Sequence, residues 1–495
     1  MKRNTFITAA LCIIIELCIS GLHPARAQMV ITYEKALNIA MENSPDIKRT
    51  SLNLERSSEM LNAQKASLKS QFSLTLNPFS FDKNRTFNRL FSAWNTNETK
   101  ESLGTFTISQ PIKKTDATLS LINRLSWQDS YSDFQGIRDK SFNNNLYISF
   151  QQPIFTYNRT QLELRELELD LENTSLTFAI QKLSLERQVA NGFYNVYRQK
   201  MSLDIAVDEL ENQKQSYEII KNKVDAGLNA LEELYQAELN LATSESNLQN
   251  QRVSLDNELD NFKLLIGIAL TETILIDADV THKPVEVDLD KALNTGLKNR
   301  MELRQRKINL ENAQFDVIRT AAQNEFKGNM TLSYGIIGTE ENFAEMYAEP
   351  TQRQSVGISF DIPLWDWGEN KSRIKASEAT VKSRKLSFED ERNAIIIGIR
   401  QSHRSLNNLV NQIEIARQNV RNAELTYDIN LERYKNGDLT SYDLNNFQTQ
   451  LSQKKTGHIQ ALINYKLALL DLKIQSLWDF ELNQSALPEE LMYTQ

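Results

Sequence analysis

Few residues in this chain are placed to do chemistry. Its four histidines, His23, His282, His403 and His458, are scattered, and none makes a metal-ligand spacing with another. Its two cysteines, Cys12 and Cys18, both fall within the first 27 residues. No glycine-rich phosphate loop precedes a helix. No catalytic constellation appears, so the chain reads as a non-enzyme with no cofactor and no metal site. What stands out instead are residues that direct the backbone. Gly227 and Gly437 have leucines close by, Leu228 and Leu439, and Pro153 and Pro363 close two alternating stretches. Glycine makes a left-handed reversal between helices cheap. What these residues imply is control of backbone shape rather than catalysis.

The elements that must position these residues are long. No proline occurs between Pro153 and Pro284, or between Pro363 and Pro488. From Arg159 to Ala226, Val189, Val196, Leu203, Leu210, Tyr217 and Val224 recur every seventh residue. Such a repeat holds one stripe of a helix against a partner over many turns. At about 1.5 Å per residue the stretch makes a rod on the order of 100 Å long, against a usual helix of roughly 11–12 residues. It has the proportions of a wall.

The same plan occurs twice. Ala36-Leu37, opening a helix expected to reach about Leu68, returns as Ala292-Leu293, opening one expected to reach about Glu325. Pro153 and Pro363 lie 210 residues apart, as do Gly227 and Gly437. Shared order and spacing predict an internal duplication. The first repeat is placed at 28–288 and the second at 289–480, with a tail over 481–495. Return helices are expected over about 229–266 and 439–478. The Ala-Leu pairs are offset by 256 residues, so the first repeat carries 46 extra residues before its proline. They are assigned to an insertion near 72–116, rich in Asn, Ser, Thr and Phe, and expected to form short strands or loop. Residues 271–288 carry no periodicity and read as a link.

Between the rods lie alternating stretches. Leu119, Leu121, Leu125 and Trp127 alternate with small or polar residues, as do Leu146, Ile148 and Phe150. In the second repeat Met330, Leu332, Tyr334 and Ile336 alternate likewise, followed by Val356, Ile358, Phe360 and Ile362. Four strands of roughly 8–11 residues result, greasy on one face and small or polar on the other, which fits a barrel with lipid outside and water inside. Polar loops are expected over 130–143 and 338–354.

The net charge of −8 and the lack of a basic cluster argue against a nucleic-acid partner. Residues 1–27 read as a signal peptide: Lys2 and Arg3, an apolar centre from Ala9 to Ile15, and a small-x-small site at Ala25-Arg26-Ala27. Its removal shifts the formal charge from −8 to −10 and removes both cysteines. Neither cysteine follows the small residue that a lipid-attachment site needs. No later run approaches the roughly 20 apolar residues of a membrane-spanning helix, so any crossing must use strands.

The Ala-Leu…Asn-Ser-Pro opening over residues 36–45, the Gln152-Pro153-Ile154-Phe155 strand end, the glycine turns and the duplication together resemble the TolC-like outer-membrane efflux proteins. The resemblance covers nearly the whole chain after the leader. It implies a mainly α protein with β, whose long antiparallel coiled-coil helices form an α-barrel. Each protomer of a homotrimer would add four strands to a shared twelve-stranded transmembrane β-barrel. It also implies a passive exit duct for efflux or type I secretion in the outer membrane of a Gram-negative bacterium. A periplasmic helical tunnel would meet a periplasmic adaptor protein and an inner-membrane pump, and outer-membrane lipid would surround the barrel. The resemblance places the tunnel-entrance gate at Asp443 and Asn446, where the first position keeps a carboxylate and the second is neutral. Asp443 also reads simply as a solvated acid on a helix face. Gly227, Leu228, Gly437 and Leu439 mark the adaptor contact, and the two leucines equally suit an internal staple of each turn. The other function class compatible with the rods is a periplasmic coiled-coil structural or adaptor protein without a barrel. Two hairpins and paired amphipathic strands weigh against it.

Overall fold

The computed structural model describes residues 29–134 and 136–488; the expected signal peptide lies outside them. Two compact units emerge. One gathers Thr177–Met301 with the described residues up to Ser51 and from Arg392 onward; the other comprises Leu52–Leu176 and Glu302–Glu391. Each therefore draws on both halves of the sequence.

The helices follow the expected order. Thr32 caps α1 (Tyr33–Asn43), its hydroxyl accepting from the Lys35 amide. Ser44 precedes Pro45, and a residue before proline is steered out of helical backbone. So the single opening helix of the sequence reading is two, α1 and α2 (Pro45–Ser67). Two long hairpins follow: α3 (Arg159–Asp225) with α4 (Leu231–Ile266), and, after α5 (Leu289–Asn299) and α6 (Met301–Ala322), α7 (Glu369–Asn436) with α8 (Ser441–Ser476). The long arms have 67 and 68 residues and the return arms 36 each. In the first unit Val189 and Val196 of the seven-residue stripe, with Phe193 between them, pack with Ala36, Ala40, Phe262 and Ile266. The segment read as a link contributes a strand, β6 (Ile274–Ile276), which pairs in parallel with β1 (Met29–Ile31) beside that core. After α8 a short hairpin, β9 (Trp478–Asp479) and β10 (Gln484–Ser485), occupies part of the expected tail.

The second unit holds one antiparallel sheet in the order β2-β3-β4-β5-β7-β8. Its strands are β2 (Gln71–Asn88), β3 (Ala93–Ile112), β4 (Ala117–Ser132), β5 (Ile137–Ile154), β7 (Lys327–Glu340) and β8 (Thr351–Asp361). The four expected strands are β4, β5, β7 and β8. The expectation of four strands from this chain is corrected to six, β2 and β3 extending the expected four. The insertion is a hairpin of two long strands, 18 and 20 residues, rather than short strands or loop. The expected loops also shrink. Polar segments such as Asp129–Ser132 and Ile137–Ser141 keep pairing beyond the apolar zone. Pro153 sits where this causes no loss. The β4–β5 ladder ends at Thr118 and Gln151, so only β7 remains beside Pro153. Pro363 follows the end of β8.

The joint between the two hairpin sets is β5–β7, where Tyr147 faces Gly335. A β-carbon on Gly335 would overlap the Leu146 carbonyl oxygen and the Tyr147 side chain. Gly335→Val is therefore expected to destabilise the detergent-solubilised protein by about 1–3 kcal/mol. Gly357→Val on β8, where the added carbon meets only the Thr331 carbonyl at 4.0 Å, should change it by no more than about 0.5 kcal/mol. Equal melting temperatures for the two variants would rule out this close approach.

Candidate functional site: hairpin turns and a two-faced sheet

In the first unit the two hairpin turns have the same construction. The Gly227 amide donates to the Val224 carbonyl and the Leu228 amide to that of Lys223. The Gly437 amide donates to Tyr434 O and the Asp438 amide to Arg433 O in the same way. Both glycines are left-handed, at φ 74° and 89°, as this helix-ending motif requires. The leucines differ. Leu228 is 75% exposed, whereas Leu439 packs beside Tyr434 and Leu444 in a cluster with Ile220 and Tyr427. Leu439 thus acts as a staple, whereas Leu228 is left exposed at its turn.

Asp443 lies in the first turn of α8. Its amide donates to Thr440 Oγ1 at 3.1 Å, and the Thr440 hydroxyl donates back to Asp443 Oδ2 at 2.7 Å. This reciprocal cap ties the carboxylate to a helix N-terminus, where negative charge is favoured. Asp443 remains half-exposed, and Asn446, one turn on, is exposed.

The sequence reading did not single out the residues that join the two hairpins. Lys223 Nζ donates to the Tyr434 carbonyl at 2.7 Å and stands 5.6 Å above the Tyr434 ring. Glu233 Oε2 accepts from the Ser441 amide at 3.0 Å, so α4 supplies a carboxylate to the start of α8. The Tyr434 hydroxyl donates to Ser216 O at 3.2 Å, and burial pushes its pKa up to about 12. A polar ladder continues along α3 and α8: Gln213 to Asn445, Asn212 to Gln448 and Ser452 to Glu209. Burial raises the Glu209 carboxyl above its ordinary value, partly offset by the Ser452 hydroxyl. Lysine in a last turn and glutamate in a first turn are ordinary helix signals, and nothing in their spacing identifies the distant partner.

The site in the second unit is the sheet itself. Ser109, Ser120, Ser149, Ser333 and Ser355 face one another in a single row across five strands. One residue along, the opposite face carries the row Phe72, Ile108, Leu121, Ile148 and Tyr334. The apolar face has aromatic residues at both limits. Phe155, Phe326 and Phe360 gather at one, with Phe326–Phe360 centroids 5.5 Å apart. Trp127 pairs with Phe142 at the other, and Phe343 packs on Phe142. Along β5 the thirteen residues from Phe142 to Ile154 rise about 40 Å, or roughly 30 Å once tilted near 40°. That matches an apolar band of about 25 Å between aromatic girdles. Beyond Trp127 the same face becomes charged, with Asp129 paired to Arg138.

Elsewhere among the described residues no group of three or more His, Cys, Asp or Glu could hold a metal ion. No described helix is long and apolar enough to cross a membrane. The His282 ring packs edge-on against Tyr465 at 4.8 Å, and burial lowers the pKa of His458.

Comparison with known proteins matches this arrangement. A profile of the outer membrane efflux protein family matches residues 118–267 and 292–474, more than half of the chain. The first segment begins inside β4, so β2 and β3 fall outside it. The outer membrane protein TolC of Salmonella enteritidis is 23% identical over 368 residues, covering 70% of this chain and 71% of the relative. The solved Campylobacter jejuni CmeC outer membrane channel shares the fold at a TM-score of 0.69 with 13% identity, covering 93% of this chain and 88% of that one. The open state of the Neisseria gonorrhoeae MtrE outer membrane channel does so at 0.64 with 13% identity, covering 90% and 88%.

The Lys223–Tyr434 bond gives the turns a test. Lys223→Met keeps the apolar stem and removes the donor, at a cost of about 1 kcal/mol. Amide exchange over Arg433–Asp438 should quicken roughly fivefold, while mid-helix amides near Ile399 stay as protected as before. Unchanged exchange at the turn would show that Lys223 does not hold it.

Proposed function

Because the chain belongs to the outer membrane efflux protein family and is an outer-membrane efflux channel, we propose that three copies surround one pore. This trimer is a passive exit duct for an inner-membrane pump, reached through a periplasmic adaptor. The observation that carries the reading is the sheet, with one apolar face, one hydroxyl-lined face, and edge strands β2 and β8 each paired on one side only. Unpaired backbone groups in hydrocarbon cost several kcal/mol each. Six strands are fewer than the eight or so at which bacterial barrels begin, so closure calls for more than one copy.

Within this reading the turns at Gly227 and Gly437 meet the adaptor, and exposed Leu228 supplies the apolar contact. Leu439 serves its own turn. The order of elements supports two repeats, 28–288 and 289–480, with β2 and β3 as an addition to the first. Asp443 from each copy forms one carboxylate ring at the tunnel entrance, with neutral Asn446 beside it. Three carboxylates near one axis repel one another and attract cations.

In planar bilayers the detergent-extracted protein should conduct as a trimer, with current blocked by divalent cations added on the tunnel side. Asp443→Ala should raise the cation concentration for half-block several-fold. Unchanged block would remove Asp443 from the gate, and a water-soluble, non-conducting chain would overturn the duct itself.

A further inference from the structure

We propose that the β2–β3 hairpin is part of the barrel wall: each copy supplies six strands, β2 of one copy pairs with β8 of the next, and eighteen strands enclose the exit. The proposal rests on the three-copy reading above and concerns how those copies join. It assigns the two open sheet edges to a second copy of this chain, and it assigns the channel a wider lumen than the twelve strands that the sequence resemblance implied.

The faces of the hairpin carry the argument. On β2, Phe72, Leu74 and Leu76 stand opposite Ile108, Phe106 and Gly104 of β3, on the side that continues into Leu121, Asn123 and Leu125 of β4. The residues between them, Ser73 and Thr75, stand opposite Thr107 and Thr105, on the side of the serine row. The hairpin therefore extends the lipid face and the water face together, in step with the rest of the sheet. A strap lying in water would leave Phe72, Leu74 and Leu76 bare, since all three are more than 60% exposed in the single chain. A plug inside the lumen would bring its apolar face into the aqueous passage.

The pairing is continuous as well. β3 and β4 pair without a shift from Asn97–Ser132 to Ile112–Ala117. The β2–β3 ladder has a single irregularity, between Asn77 and Ser80, around Pro78. Because the sheet has an even number of strands in antiparallel order, β2 and β8 run in opposite directions. A ring of copies closes with antiparallel pairs throughout, as in other outer-membrane barrels. Both edge strands are exposed on both faces along nearly their whole length, as strands awaiting partners would be.

Barrel diameter grows roughly linearly with strand number. With strands about 4.8 Å apart and tilted near 40°, twelve strands give about 24 Å between backbones and eighteen about 36 Å. Lumen cross-section thus rises about twofold. The serine row adds small, uncharged side chains that take up little of this width. The class of cargo favoured is bulky solute.

Both cysteines of the sequence lie in the first 27 residues, so engineered disulfides can report the seam. Ser73→Cys on β2 is combined in turn with Arg353→Cys, Ser355→Cys and Gly357→Cys on β8, and Ser120→Cys on β4 with the same three. These positions all lie on the water face, and the panel samples the possible offsets. Expected are disulfide-linked dimers and trimers in outer membranes from at least one β2–β8 pair, and none from the β4–β8 pairs. Linkage of β4 to β8 would overturn the proposal in favour of a twelve-stranded wall with the hairpin set aside. Trimers without any β2–β8 linkage would overturn it too, while leaving the duct reading intact. A chain recovered only as monomer would overturn both. Deleting residues 71–112 should lower the radius of polyethylene glycol admitted from the barrel side by about 1.5-fold, and an unchanged cut-off would contradict the wider lumen. The cross-links decide the seam even if this deletion variant fails to fold.

Discussion

The backbone of a strand at the edge of a sheet carries a row of amide and carbonyl groups that hydrocarbon cannot satisfy. In this chain that burden falls on β2 and β8. Both are edges, and both belong to a sheet whose apolar face is bounded by aromatic residues at a membrane-like spacing. Water would tolerate the open edges but not the broad apolar face, and lipid would tolerate the face but not the edges. Joining further copies of the sheet meets both demands. The hydroxyl-lined opposite face then becomes the wall of an aqueous passage.

The hairpin turns follow a different physical rule. Their geometry is fixed by left-handed glycines and repeated almost bond for bond between Gly227 and Gly437. The two hairpins share an apolar cluster of Ile220, Ala237, Tyr427, Tyr434, Leu444 and Leu451, and polar groups add directed contacts: a lysine on a carbonyl, a glutamate on a helix start, and an amide ladder along α3 and α8. Buried polar contacts of this kind specify register more than they add stability.

Much of this was legible in the sequence. Proline-free stretches and the seven-residue stripe marked α3 and α7 to within a few residues, because long helices exclude proline throughout. Alternation marked β4, β5, β7 and β8 wherever one face meets lipid. It failed where both faces are polar, so the outer parts of β4 and β5 read as loop although they stay paired. It failed again on β2, where the irregularity at Asn77–Ser80 shifts the phase of alternation after Leu76 and hides an 18-residue strand among Asn, Ser and Phe. β1 and β6, three residues each, carry no local signal and exist only through pairing with each other. At the turns, Gly227 and Gly437 were readable because the backbone itself requires them. The roles of Leu439 and Thr440, and the reach of Lys223, depend on neighbours brought together by folding.

Single-particle imaging of the full chain in lipid nanodiscs tests the central claim most directly, because it shows where each sheet edge goes. The account predicts a closed wall around a three-fold axis in which the last strand of one copy lies against the first strand of its neighbour, leaving no backbone edge in lipid. A sheet sealed within one polypeptide, or edges left open in the hydrocarbon of a stable particle, would contradict it.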